Sequence, residues 1–85
     1  MNTTVTLFEP IGKPLDRDEL YGWFGQYGTS GVSDVAGRKG IWRVIRDSDY
    51  ETIVAHQIDF SKHGHEHTFL FRDVELAILF KLAWA

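Results

Sequence analysis

Residues 72–85 read RDVELAILFKLAWA, and this ending decides the fold. It has helical length, an acidic start at Asp73 and Glu75, and one cation, Lys81, in its second half. Placed at 100° per residue, Leu76, Leu79, Phe80 and Ala83 form one stripe. Val74, Ile78 and Leu82 form a second on another side, and Ala77 and Trp84 fill a third. A helix lying on a sheet needs one apolar stripe, not several. The excess predicts a helix shared between a sheet and a partner, with Leu76, Leu79, Phe80, Leu82 and Trp84 as the partner-binding residues. The partner is expected to be another protein, a second copy in a homodimer, or both.

Working back from this helix, residues 68–71 (TFLF) read as a short strand and 61–67 (SKHGHEH) as a loop. Residues 50–60 (YETIVAHQIDF) alternate as a long strand with Val54, His56, Ile58 and Phe60 on one face and Ile53, Ala55, Gln57 and Asp59 on the other. Asp47, Ser48 and Asp49 make a turn, and 41–46 (IWRVIR) a strand. Residues 29–40 (TSGVSDVAGRKG) are rich in glycine and polar groups and read as a loop with a short ribbon at 32–35. Upstream, Asp16 and Glu19 have the spacing of a capping box, with Leu15 and Leu20 as its staple. Leu20, Trp23, Phe24 and Tyr27 then share one helical face, and Gly28 suits the helix end. Residues 3–8 (TTVTLF) form the first strand. The resulting order is β-α-β-β-β-α. It predicts one α+β domain over residues 1–85, built in two layers, with an antiparallel sheet of about four strands and both helices on one face. The α-β-β-β-α part resembles the double-stranded-RNA-binding fold. However, Asp73 and Glu75 stand where that fold carries lysines.

Composition narrows the chemistry. The 85 residues are 44% hydrophobic and 25% charged, a globular balance. The absence of cysteine excludes disulfides, thiolate metal sites and cysteine nucleophiles. The first ten residues lack the basic and apolar regions of a signal peptide, and no apolar run is long enough to span a membrane. A cytoplasmic protein without membrane contact is therefore expected. The formal charge of −3 opposes nucleic-acid binding by bulk charge. Protonating the four histidines would carry that charge through zero, so solubility is expected to be lowest between about pH 5 and 6.5.

Two local clusters could carry more. His63, His65 and His67, with His56 upstream, offer imidazoles for Zn²⁺ or Ni²⁺. Side chains four apart on a flat strand lie about 13 Å apart, so a shared site needs the loop to curl at Gly64 or needs His56 or Asp59 from the adjoining strand. No cofactor is expected otherwise. Arg38, Lys39, Arg43 and Arg46 surround Trp42, but a regular strand sends Trp42 and Arg43 to opposite faces, which weakens combined stacking and phosphate contact. The serines fall in turns and form no G-x-S-x-G elbow. The glycines of GWFGQYGTSG follow a capped helix start rather than a strand and are not a dinucleotide fingerprint. Asp16, Asp18 and Glu19 suit the helix dipole. The chain is thus expected not to be an enzyme.

The ending Asp73, Ala77, Phe80, Lys81, Leu82 and Trp84, D-x-x-x-A-x-x-F-K-L-x-W after a strand, resembles that of small accessory proteins encoded by bacteriophages. The resemblance covers the last sixth of the chain. It implies a protein that works by protein–protein binding in the host cytoplasm, either blocking a host factor or defence complex in the manner of an anti-CRISPR inhibitor, or self-associating as a virion component.

Overall fold

A computed structural model of the chain describes residues 3–27, 31–37 and 40–84. The elements are β1 (Thr3–Pro10), α1 (Arg17–Phe24) with a 3₁₀ turn (Gly25–Tyr27), β2 (Gly31–Gly37), β3 (Gly40–Arg46), β4 (Thr52–Ser61), β5 (Gly64–Phe71) and α2 (Val74–Trp84). The strands form one antiparallel sheet in the order β1-β5-β4-β3-β2. The α+β class, the antiparallel sheet and the two helices agree with the sequence. The strand count is five rather than about four. The added strand is β2, most of which reads as loop. Its residues make their ladder on one side only, to β3, and its polar side chains reach across to that strand: Asp34 to Arg43 and Ser33 to Arg46. Pairing here replaces the apolar alternation that marks a strand in a sequence.

Residues opposed across a ladder share a face. Val5, Phe69 and His56 lie in one row with Arg43 and Asp34, and Phe71, Val54, Ile45 and Val32 in the next. This inner face carries the core, where Val5, Leu7, Ile45, Val54, Phe69 and Phe71 meet Leu20 and Phe24 of α1 and Leu76, Ala77 and Phe80 of α2. Phe80 is completely buried. Its ring stacks on Phe24 at 5.3 Å and lies 4.6 Å from Phe69 and 5.2 Å from Phe71, so it joins both helices to β5. Ile53, expected on the outer face, is in the core as well. The β3–β4 register slips between Ile45 and Arg46, which pair with Val54 and Thr52. The bulge leaves Ile53 unpaired and turns it inward beside Val54.

The helix starts are capped as their sequences imply. Asp16 Oδ1 accepts from the Glu19 N–H at 3.1 Å, and Asp73 Oδ1 accepts from the Glu75 N–H at 2.9 Å. The α-helical part of α1 stops at Phe24, and Gly28, the expected helix end, lies outside the described residues. No helix among the described residues is long and apolar enough to cross a membrane.

The segment 61–67 is a tight β4–β5 hairpin, not a loop. Ser61 pairs with Gly64, and His65 and His67 are strand residues. Gly64 makes the corner possible. Its φ is +149°, and a Cβ there would overlap the Glu9 carbonyl oxygen and approach the Phe8 ring to 2.7 Å. Gly64→Ala is expected to destabilise the domain by about 1–3 kcal/mol through backbone strain alone. Urea denaturation checks this, with the midpoint falling and the slope unchanged.

Candidate functional site

The histidines expected in a loop enter a buried polar chain. Glu9 on β1 is 8% exposed, His67 on β5 is fully buried and His56 on β4 is 2% exposed. Glu9 Oε1 and His67 Nε2 are 2.9 Å apart, His67 Nδ1 and His56 Nε2 2.8 Å, and His56 Nδ1 and the Tyr21 hydroxyl 2.6 Å. Three neighbouring strands and α1 are thereby connected through side chains alone. The second Glu9 oxygen accepts from the Leu15 N–H, and Arg17 stands 4.0 Å from the first. His56 stacks on Phe69 at 4.2 Å with the rings nearly parallel.

Each ionisation has a local cause. The His67 hydrogen bond and the Leu15 N–H hold the Glu9 carboxyl below its usual range. Burial pushes the His56 pKa down to about 3, so its ring is neutral at ordinary pH. Burial also raises Tyr21, which keeps its proton. With Glu9 ionised, His67 Nε2–H must donate to it. Two arrangements then satisfy the whole chain. In one, Tyr21 O–H donates to His56 Nδ1, and His56 Nε2–H donates to His67 Nδ1. In the other, which holds one more proton, His67 Nδ1–H donates to His56 Nε2, and His56 Nδ1–H donates to the Tyr21 oxygen. The second arrangement frees the Tyr21 O–H.

Tyr21 and His56 line a cleft of about 200 Å³ beside α1. Its other walls are Arg17, Asp34, Arg43, Ile41, Ile58 and Phe60. The Arg43 guanidinium lies 5.6 Å from the centre of the Tyr21 ring, and its Nε donates to Asp34 at 3.2 Å. At the other end of the polar chain, Glu9 and His67 line a second groove, which also touches Lys13 and Trp84.

The remaining expected residues separate. His63 is exposed in the hairpin turn, and His65 packs edge-on against Phe60 at 4.7 Å. His56 and His67 use all four ring nitrogens within the polar chain, so a metal ion would have to displace those bonds. No group of three or more His, Cys, Asp or Glu able to hold a metal ion exists among the described residues. Arg43 lies on the inner face. Arg46 has the opposite parity and bonds Ser33 and the Tyr50 carbonyl. The two arginines therefore do not converge, and Arg38 and Lys39 lie outside the described residues. On α2, Leu76 and Phe80 are core residues and Trp84 is half-buried, so they are not free for a partner as expected. Val74 (54%), Ile78 (54%), Leu79 (44%) and Leu82 (79%) are the exposed apolar groups of this helix. Sequence reading missed Glu9, Tyr21 and Arg17. Glu9 and Tyr21 were detectable only as polar residues at core positions of β1 and α1.

The polar chain should make stability depend on acid. Folded His56 stays neutral down to about pH 3, whereas the unfolded ring takes a proton near 6.5. The unfolded state thus binds more protons, and stability falls as pH drops from 6.5 towards 3, by about 1.4 kcal/mol per unit for this group. The lowered Glu9 adds to the same trend: its contribution is present above 4.5 and is lost as pH falls through its folded value. Thermal melts from pH 8 to 4 should show this decline, and His56→Phe should flatten it while lowering stability at pH 8. No family model, curated protein or solved structure matches the chain.

Proposed function

We propose that this chain is a small non-enzymatic binding domain, and that its working surface is the outer ridge of α2. The observation that carries this reading is the exposure of Val74, Ile78 and Leu82, spaced i, i+4 and i+8, with Leu79 alongside. Each such side chain contributes about 1.5–3 kcal/mol when fully buried, so covering the half-exposed ones gives a usable binding energy. The ridge is only one side chain wide. A specific complex buries about 800 Å² per partner, and a ridge this narrow approaches that only inside a groove. The partner is accordingly a protein with an apolar groove. The phage-like ending makes that protein a host factor or defence complex in the infected cytoplasm, which the domain occludes in an anti-CRISPR-like way.

A second reading, self-association as in a virion component, is favoured by β2. Among the described residues this seven-residue edge strand pairs only with β3, which leaves its other side for another strand.

Site-specific photo-crosslinking in producing host cells tests both. A photoreactive residue at position 82 is expected to give one discrete heterologous adduct, which Ile78→Asp abolishes while leaving the melt unchanged. The same group at Asp59, on the opposite sheet face, should give none. An adduct of twice the chain mass from β2 positions would transfer the function to self-association. Absence of any adduct from position 82 would rule the ridge out.

A further inference from the structure

The two helices leave part of the inner sheet face bare. Ile41 and Phe60 are on this face by register, yet they are 68% and 66% exposed. Together with Ile58 they form an apolar floor at one end of the cleft beside α1. Arg17, Arg43 and the Tyr21 ring line the same cleft. Each arginine is held loosely. Arg17 reaches Glu9 only at 4.0 Å, and Arg43 bonds Asp34 through Nε, with both side chains of that pair about half exposed. The Arg43–Asp34 pair, exposed on both sides, is weak and exchanges readily for a better anion. A planar guanidinium edge suits the two oxygens of a carboxylate or phosphate. The volume of about 200 Å³ admits one ring carrying one such group.

We propose that this cleft binds a small aromatic oxyanion, with Arg17 and Arg43 meeting the anion, Ile41, Ile58 and Phe60 meeting the ring, and one proton taken up from solvent by the polar chain behind Tyr21. The proton follows from the two hydrogen-bond arrangements. While Tyr21 donates to His56, its hydroxyl has only lone pairs to offer an anion. When a proton enters between His67 and His56, the His67–His56 and His56–Tyr21 bonds reverse while His67 still donates to Glu9, and the Tyr21 O–H is released to donate to the ligand. No covalent bond to the ligand forms or breaks. The charged and titratable groups around the chain are Glu9 on β1, Arg17 on α1, Asp34 on β2, Arg43 on β3 and His65 on β5. His67 Nε2 lies 2.9 Å from the Glu9 carboxylate. The site is separate from the α2 ridge and does not depend on it.

Isothermal titration of the full chain with phenyl phosphate and with benzoate tests the proposal, the two probes distinguishing phosphate from carboxylate. At least one should saturate with a dissociation constant of about 1 mM or tighter. Inorganic phosphate and benzyl alcohol should each bind at least tenfold more weakly. Arg17→Gln and Arg43→Gln should each weaken binding about tenfold. Asp34→Asn should tighten it several-fold, because it removes the competing carboxylate; damage to the fold would not produce that gain. Affinity should rise on acidification, with a heat that depends on the buffer's ionisation enthalpy, and Tyr21→Phe should remove that pH dependence. Failure of both probes to saturate, binding indifferent to both arginines, or an Asp34→Asn variant that binds more weakly would each overturn the site. Binding without proton uptake would overturn the coupling.

Discussion

A carboxylate inside a small domain is the constraint on which the rest of this structure depends. Glu9 cannot stay charged at 8% exposure without donors on both oxygens. His67 supplies one and the Leu15 N–H the other. The first bond fixes which nitrogen of His67 carries the proton. That choice limits His56, and His56 limits Tyr21. The second bond fixes the end of the β1–α1 connection just before Asp16 caps the helix. One charge therefore positions three strands and a helix start. An apolar residue at position 9 would leave the start of α1 without its Leu15 N–H anchor to β1.

The packing explains why both candidate surfaces exist. Two short helices cannot cover five strands. They cover β1, β5 and parts of β4 and β3, and the Phe24, Phe69, Phe71 and Phe80 rings converge under them. Beyond α1 the inner face is left open as the Arg-lined cleft. Above the sheet α2 turns Leu76, Ala77 and Phe80 into the core with Trp84 packed part-buried against it, so Val74, Ile78 and Leu82 remain outside. The limited reach of the helices and the excess apolar surface of α2 thus have one geometric source: a sheet wider than its cover and a helix greasier than its seat.

What the sequence disclosed follows the same physics. The helix starts at Asp16 and Asp73 were legible because capping is a local interaction. The apolar excess of α2 was legible because helical period is local too. β2 was mostly hidden because its evidence is across the ladder, in Asp34 with Arg43 and Ser33 with Arg46. The hairpin at Gly64 was hidden because histidine and glutamate look like loop residues until His67 is seen facing Glu9, 58 positions away in sequence. The polar chain joins residues from four separate elements, so no spacing rule could have assembled it. Ile53 moved faces because a single bulge reverses a strand's parity, and a bulge leaves no mark in the residue pattern.

Stability does not account for the polar chain. A buried ionic or polar network is often matched or exceeded by apolar side chains of similar volume, and here it adds a sensitivity to acid that an apolar core would lack. Its placement is informative instead. Glu9 and His67 border one surface groove, while His56 and Tyr21 border the cleft on the other side. The chain therefore runs through the protein between two solvent-facing depressions, with a fixed charge at one end and a hydroxyl at the other. The proposed entry of a single proton reverses the two bonds between His67 and Tyr21, changing what Tyr21 presents to the cleft without moving the backbone. An aliphatic filling could hold the sheet together, but it could not transmit that change from one groove to the other.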